Sequence, residues 1–168
     1  MSTWEILHWL EQTPVSVLIR EHVWGQPALI AVHMLALTGS VGTLFWFDLR
    51  LLGIGLQRCS ISRLYRVLKP WMLASFFFMA VSGSMLFMAY ASLAYDNFFF
   101  RVKVAGFALA GVNMLIYHLG AKRGIAAWDE APQPPLAAQI AGLVSIMAWI
   151  AIIVSGRMMA YTMYGIAS

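Results

Sequence analysis

The stretch Pro27–Phe47, PALIAVHMLALTGSVGTLFWF, contains no formally charged residue. A helix rises about 1.5 Å per residue and a hydrocarbon core is about 30 Å thick, so about 20 apolar residues are enough to cross it. Three further stretches are uncharged in the same way: Pro70–Tyr95, Val104–Ala121 and Leu136–Gly156. Each reaches or nearly reaches the length of a membrane span. The sequence therefore predicts an integral membrane protein with four transmembrane helices.

The composition agrees with this interpretation. Hydrophobic residues make up 61% of the 168 residues and charged residues only 11%, which is far from the balance of soluble domains. Four spans use most of this length, so no room is left for a separate soluble catalytic domain. The expected fold class is an all-α membrane protein, a four-transmembrane-helix bundle preceded by a short interfacial helical segment.

We expect two parts along the chain. Residues 1–26 form the interfacial helical segment, because its tryptophans suit the headgroup level of a membrane. Residues 27–168 form the transmembrane domain, with spans over about 27–49, 70–93, 98–120 and 136–164. Pro70 should begin the second span, since proline is favoured in the first turn of a helix.

Positive charge is concentrated in one loop, residues 48–69. Its cationic residues are Arg50, Arg58, Arg63, Arg66 and Lys69, and its one acid is Asp48. Lysine and arginine favour the cytoplasmic side of a membrane, so this loop should face the cytoplasm and both termini should lie outside. The net charge of +4 is explained by this topology signal, and we expect no nucleic-acid partner.

His33 is the ionisable residue inside the first span. An ionisable group in lipid is costly and is a functional-site candidate by default. His33 lies about 9 Å below the outer boundary, and Lys103 and Arg157 should lie at a comparable depth. One imidazole beside two cations suits a dianionic, largely apolar ligand. Haem b fits, with the imidazole on the iron and the cations on the propionates. The alternative for His33 is a hydrogen-bonded core histidine.

The third helix carries a stripe that supports the same site. Lys103, Gly106, Ala110, Asn113 and Tyr117 follow one another at spacings of three and four residues, so they share one face. Lys103, Gly106 and Asn113 are therefore candidate cofactor contacts, in addition to the arginine of the fourth helix. The alternative is a packing seam, in which the small residues let helices approach and Asn113 makes an interhelical hydrogen bond. Lys103 could equally extend to the outer interface.

The sequence leaves the second iron ligand open. His118 lies near the cytoplasmic boundary, about 15 Å in depth from His33, so one iron cannot be held by both. His22 reaches a haem only if the segment that begins at Pro14 folds over the bundle. Methionines at a suitable depth are Met85, Met88, Met158 and Met159. A five-coordinate iron is a further alternative.

Other chemistry finds less support in the sequence. No span pairs a serine or cysteine with a neighbouring base, as a hydrolase or transferase would need. Cys59 is the single cysteine, which excludes a cysteine-ligated iron–sulfur cluster and a c-type haem attachment site. Asp48 should close the first helix, and the remaining acids fall in loops. Because a proton or cation transporter usually carries acids at mid-membrane, we expect neither activity.

Several short motifs along the chain are shared with known membrane proteins. They are Ala31-Val32-His33, Asp48-Leu49-Arg50-Leu51-Leu52-Gly53, Asn97-Phe98 with Lys103, Asn113, and Gly156-Arg157 with Ala160-Tyr161. With these motifs the chain resembles a family of bacterial four-helix membrane proteins of unknown function. More distantly, a first-helix histidine and a lysine opening the third helix are similar to the bacterial membrane protoporphyrinogen oxidases and the copper-resistance D type membrane proteins. The resemblance implies haem, porphyrin or copper as ligand and the bacterial inner membrane as location.

Three functions follow as hypotheses. The leading one is a haem-b-binding membrane subunit that exchanges electrons with a partner protein on the outer, periplasmic face. The second is a cofactor-free membrane anchor or assembly subunit of a larger complex. The third, implied by the resemblance, is a porphyrin-oxidising membrane enzyme. The expected partners are the lipid bilayer and a membrane or periplasmic redox protein, or a second copy of the chain.

Overall fold

The computed structural model describes residues 2–163 and, within them, consists of helices joined by short turns. In chain order these are α1 (Thr3–Glu11), α2 (Pro14–Glu21), α3 (Gly25–Leu51), α4 (Ile61–Ala89), α5 (Ala91–Asp96), α6 (Phe98–Leu119) and α7 (Leu136–Met163). A 3₁₀ helix, Ala121–Ala127, lies between α6 and α7. No strand occurs in this range, so the all-α fold class is confirmed.

Four of these helices are long and apolar enough to cross a membrane. They are α3, α4, α6 and α7. The most apolar 18-residue stretch of each helix has a mean hydropathy of 1.8, 1.8, 1.5 and 2.2, respectively. The predicted bundle of four transmembrane helices is therefore confirmed. Even in α7, where this stretch is the most buried of the four, only 33% of its residues are buried. Most apolar side chains therefore face outward. This is the exposure that lipid contact requires.

The ends of three spans agree closely with the sequence-based expectation. Helix α3 begins at Gly25 and ends at Leu51, two residues beyond the predicted span at each side. Helix α6 ends at Leu119, one residue before the predicted end. Helix α7 begins at Leu136 as predicted, and the predicted end at residue 164 lies outside the described residues.

The predicted start of the second span at Pro70 is wrong. Helix α4 begins nine residues earlier, at Ile61, and Pro70 lies in its interior. The first two turns are held because Ile61 and Leu64 are buried in a core cluster with Phe47 and Tyr117. Packing of this kind stabilises a helix more than local propensity does. Since proline lacks an N–H, its position removes one backbone hydrogen bond near the charged end of the helix.

The bundle consists of two close helix pairs, α3 with α4 and α6 with α7, joined mainly through α3 and α7. Glycines permit the close approach. A Cβ at Gly39 would lie 2.5 Å from the Ser75 Oγ on α4, and a Cβ at Gly106 would lie 2.7 Å from Ile152 Cγ1 on α7. At the crossing of α3 and α7, a Cβ at Gly142 would lie 3.0 Å from a backbone oxygen of α3.

The two ends of the bundle differ in composition. At one end, here named the loop end, residues 52–60 and 120–135 connect the helices, and the core cluster with Phe47 draws side chains from all four spans. At the other end, the terminal end, α1, α2 and α5 cover the bundle. Arg20 of α2 donates to the carbonyl of Ala89 at 2.9 Å, and Glu11 of α1 accepts from the Ser92 amide at 2.8 Å. These bonds satisfy backbone groups at the end of α4 and the start of α5.

Candidate functional site

His33 lies between α3 and α4, about two turns from the terminal end of α3. Its side chain is buried, with 7% of its surface exposed. Its nearest neighbours on α4 are Ser82, whose Oγ lies 2.9 Å from His33 Nδ1, and Gly83. A Cβ at Gly83 would lie 3.1 Å from His33 Cε1, so the glycine provides the space that the imidazole occupies.

The contacts of the Ser82 hydroxyl favour one tautomer of His33. Ser82 Oγ lies 2.6 Å from the carbonyl oxygen of Phe78 and 3.3 Å from that of Met79. A hydroxyl has one proton, and the short contact assigns this proton to the Phe78 carbonyl. Ser82 Oγ therefore accepts from His33 Nδ1–H. In the neutral imidazole, Nε2 then carries the lone pair, which is the arrangement of a metal-binding histidine oriented by a neighbouring group.

Lys103 is the cation that the structure brings near His33. It lies on α6, its side chain is half-buried, and it interacts electrostatically with the imidazole. A Cβ at Gly156 of α7 would lie 3.6 Å from Lys103 Nζ, so the lysine passes across this glycine. Within residues 2–163 the ion pair that forms is His8 with Glu11. Lys103 thus has no carboxylate partner in the described part of the chain.

Arg157 does not join this pair, although the depth argument expected it inside the bundle. Its side chain is exposed, and its Nη2 donates to Tyr161 Oη at 3.0 Å. The guanidinium carbon lies 4.8 Å from the centroid of the same ring. The physical reason is helical geometry: Gly156 faces Lys103, and the next residue is rotated by about 100°. The arginine therefore lies on the outer surface of α7.

Gly106 and Asn113 make the contacts that the packing alternative predicts. Gly106 is buried against Ile152, and Asn113 Nδ2 donates to the carbonyl of Ala141 at 2.8 Å. Both contacts join α6 to α7. A role of these two residues in holding a cofactor stays a prediction, and their observed contacts already account for them.

The other candidate histidines lie elsewhere. His118 Nδ1 bonds the Met114 carbonyl at 2.9 Å, and Nε2 lies 3.5 Å from Tyr65 Oη on α4. Tyr65 and Ser82 are 17 residues apart on α4, so His118 and His33 are separated by about 25 Å along the helix. His22 follows α2 and is exposed, with Nδ1 accepting from the Trp24 amide at 3.2 Å.

Three polar side chains have contacts that the sequence did not predict. Ser82 is the first, and nothing in its position within a span indicates its partner. Asp48 was expected to close the first helix, yet it is buried inside α3 with 4% of its surface exposed. Arg50, two residues on, is fully buried and donates to the carbonyls of Cys59 and Ala131. The only signal in the sequence was the close spacing of an acid and a base in this segment, and these residues were assigned to the basic loop.

Within residues 2–163, no group of three His, Cys, Asp or Glu side chains comes together as a metal site. A site based on His33 therefore relies on one protein nitrogen, as a haem with its own four ring nitrogens allows. No protein-family model, curated protein or solved structure matches the chain. The observed fold is that of a multi-pass membrane protein, and the resemblance to particular families stays a prediction.

Proposed function

We propose that the protein is a membrane subunit that binds haem b through His33 and transfers single electrons to or from a partner protein. The observation that carries this proposal is the bond between His33 Nδ1 and Ser82 Oγ, at 2.9 Å. It fixes the ring and leaves Nε2 as the nitrogen with the lone pair. A buried imidazole in this state would suit a bond to the iron of a haem.

Lys103 supports the same proposal through its charge. Lys103 is half-buried and has no carboxylate partner within residues 2–163, which is costly in an apolar bundle and favours an anionic ligand. A propionate would supply that charge and would form a charge-assisted hydrogen bond with the ammonium group. His33 and Lys103 together thus fit an anionic, largely apolar, iron-containing ligand better than either fits an empty core.

When bound, haem b supplies one-electron redox chemistry. The residues of this chain would bind and orient it: His33 would bind the iron, Ser82 would keep the imidazole in one tautomer, and Lys103 would pair with a carboxylate. The packed interface of α3 and α4 keeps water from the ring nitrogen that Ser82 holds.

The proposed location is the bacterial inner membrane, with both termini in the periplasm. The basic residues of the loop end favour the cytoplasmic side, so α1, α2 and α5 would lie at the outer surface. His33 and Lys103 lie in the half of the bundle nearest the terminal end. We therefore expect the redox partner, a periplasmic or membrane protein, to dock at that end.

A reduced-minus-oxidised absorption spectrum of the purified protein tests the proposal. We expect the bands of a b-type haem in the wild type and their loss in His33→Ala. His118→Ala is the matched control, because its imidazole lies in the same bundle and is separated from His33 by about 25 Å, measured along the direction of α4. Folded yield of each variant, measured by size-exclusion chromatography in detergent, separates haem loss from misfolding.

The outcomes distinguish the competing hypotheses. Equal haem loss in both histidine variants at normal folded yield would contradict a single site at His33. A wild type without haem, after expression with excess haem precursor, would favour the cofactor-free anchor. The observation that favours the anchor is Arg157, an exposed cation on a membrane helix whose partner within residues 2–163 is Tyr161. An acidic partner subunit would satisfy it.

A further inference from the structure

Asp48 is a second ionisable group inside the bundle, remote from His33. Only 4% of its surface is exposed. Its backbone lies against α7, where a Cβ at Gly142 would approach its carbonyl oxygen to 3.0 Å. Its carboxyl group interacts with the hydroxyl side chain of Ser145, also on α7. Helix α6 contributes Tyr117, which is buried and within electrostatic range of the acid.

No cation compensates the charge that an ionised Asp48 would carry. On its own helix, Arg50 is rotated by about 200° and donates instead to the carbonyls of Cys59 and Ala131. On α6, the phenol of Tyr117 interacts electrostatically with Asp48 and carries no positive charge. The cations Lys69 and Lys122 lie over the Tyr65 ring of α4 instead. In the part of the chain that the structure describes, Asp48 takes part in no ion pair.

A buried carboxylate without a counter-charge is strongly disfavoured in an apolar bundle. The neutral acid is favoured, because one oxygen then carries a proton and the group can be satisfied by a single hydroxyl partner. We propose that Asp48 is a proton-binding site, which holds one proton as an O–H bond on its carboxyl group at neutral pH. This inference is independent of haem binding at His33.

Polar groups extend from Asp48 towards the loop end. Tyr117 interacts electrostatically with Asp48 and with Asp129. Asp129 is half-buried, and its Oδ1 accepts from the Ser62 amide at 2.7 Å at the start of α4. Asp48 itself lies one turn before the end of α3, in the half of the bundle nearest the loop end. Protons would therefore reach it from that side.

Infrared spectroscopy of the protein in lipid vesicles tests the proposal directly. At pH 7 we expect a carbonyl stretching band of a protonated carboxylic acid in the wild type and its loss in Asp48→Asn. Glu130→Gln is the matched control, since it removes an exposed acid at the loop end, and it should retain the band. Ser145→Ala keeps the acid but removes its hydroxyl partner, so the band should remain and shift in frequency.

Each outcome of the infrared experiment supports or contradicts a protonated Asp48. No band in the wild type at pH 7, or a band that persists in folded Asp48→Asn, would overturn the proposal. A band that appears only after Na⁺ and K⁺ are withdrawn would show that a monovalent cation occupies the site instead of a proton. If Asp48→Asn does not fold, the frequency shift in Ser145→Ala still assigns the band, and an unshifted band there would contradict the assignment.

Discussion

Gly83 faces the edge of the His33 imidazole, and a Cβ on it would lie 3.1 Å from Cε1 and 3.6 Å from Nδ1. The first distance is closer than ordinary van der Waals contact between carbon atoms. The preceding residue, Ser82, holds the same ring through Nδ1. Two consecutive residues of α4 therefore define the position of the imidazole, one by a hydrogen bond and the other by leaving room.

Gly83→Ala should consequently weaken haem binding. The added methyl group displaces the ring and lengthens its bond to Ser82, and loss of such a supporting contact costs about 10–100-fold in affinity for the metal group. Titration of haem into the apo-protein measures the change. Gly111→Ala is the control, because a Cβ there meets nothing within 4 Å. Equal affinities in the two variants would contradict the proposed role of the His33 ring.

Lys103→Met should also weaken haem retention. The substitution keeps the apolar length of the side chain and removes one charge-assisted contact, worth about 1.5–3 kcal/mol, or tenfold and upwards in affinity. Arg157→Leu is the comparison, since its side chain is exposed and bound to Tyr161. We expect a smaller change there. If Arg157→Leu has the larger effect on haem titration, the arginine and not the lysine holds the propionate.

Hydropathy alone predicted the four spans, because a bilayer requires long apolar segments whose backbone groups bond within the helix. Hydropathy did not predict helix ends that depend on packing against neighbouring helices. Helix α4 continues through Pro70 because Ile61 and Leu64 pack against α3, α6 and α7. The preference of proline for the first turn of a helix is a local rule, and it takes no account of this tertiary packing.

The candidate site was predictable only in part, for the same reason. His33 and Lys103 were identified by type and depth, both of which are written in the sequence. The bond to Ser82 depends on the register between α3 and α4, and the outward direction of Arg157 depends on the rotation of α7. Asp48 was expected to close the first helix at the basic loop, whereas both Asp48 and Arg50 are buried, and Arg50 bonds two loop carbonyls.

Gly106→Ala separates packing from cofactor binding on the stripe of α6. A Cβ there would lie 2.7 Å from Cγ1 of Ile152, whose side chain is only 2% exposed. Overpacking of this kind costs about 1–3 kcal/mol of stability. We expect lower resistance to unfolding by dodecyl sulfate in micelles, with haem content per folded molecule unchanged. Gly42→Ala, in open surroundings on α3, should behave like the wild type. Haem loss without loss of stability would instead assign Gly106 to the cofactor.

Cysteine labelling tests the proposed orientation in a background in which the natural thiol is removed by Cys59→Ser. Val23→Cys introduces a thiol at the terminal end, where the native side chain is 81% exposed, and Gly124→Cys introduces one at the loop end. A membrane-impermeant maleimide should label the first variant in intact spheroplasts and the second only after permeabilisation, because basic loops stay in the cytoplasm. The reverse pattern would move His33 to the cytoplasmic half of the membrane. The redox partner would then have to be sought in the cytoplasm, and Asp48 would take its proton from the periplasm.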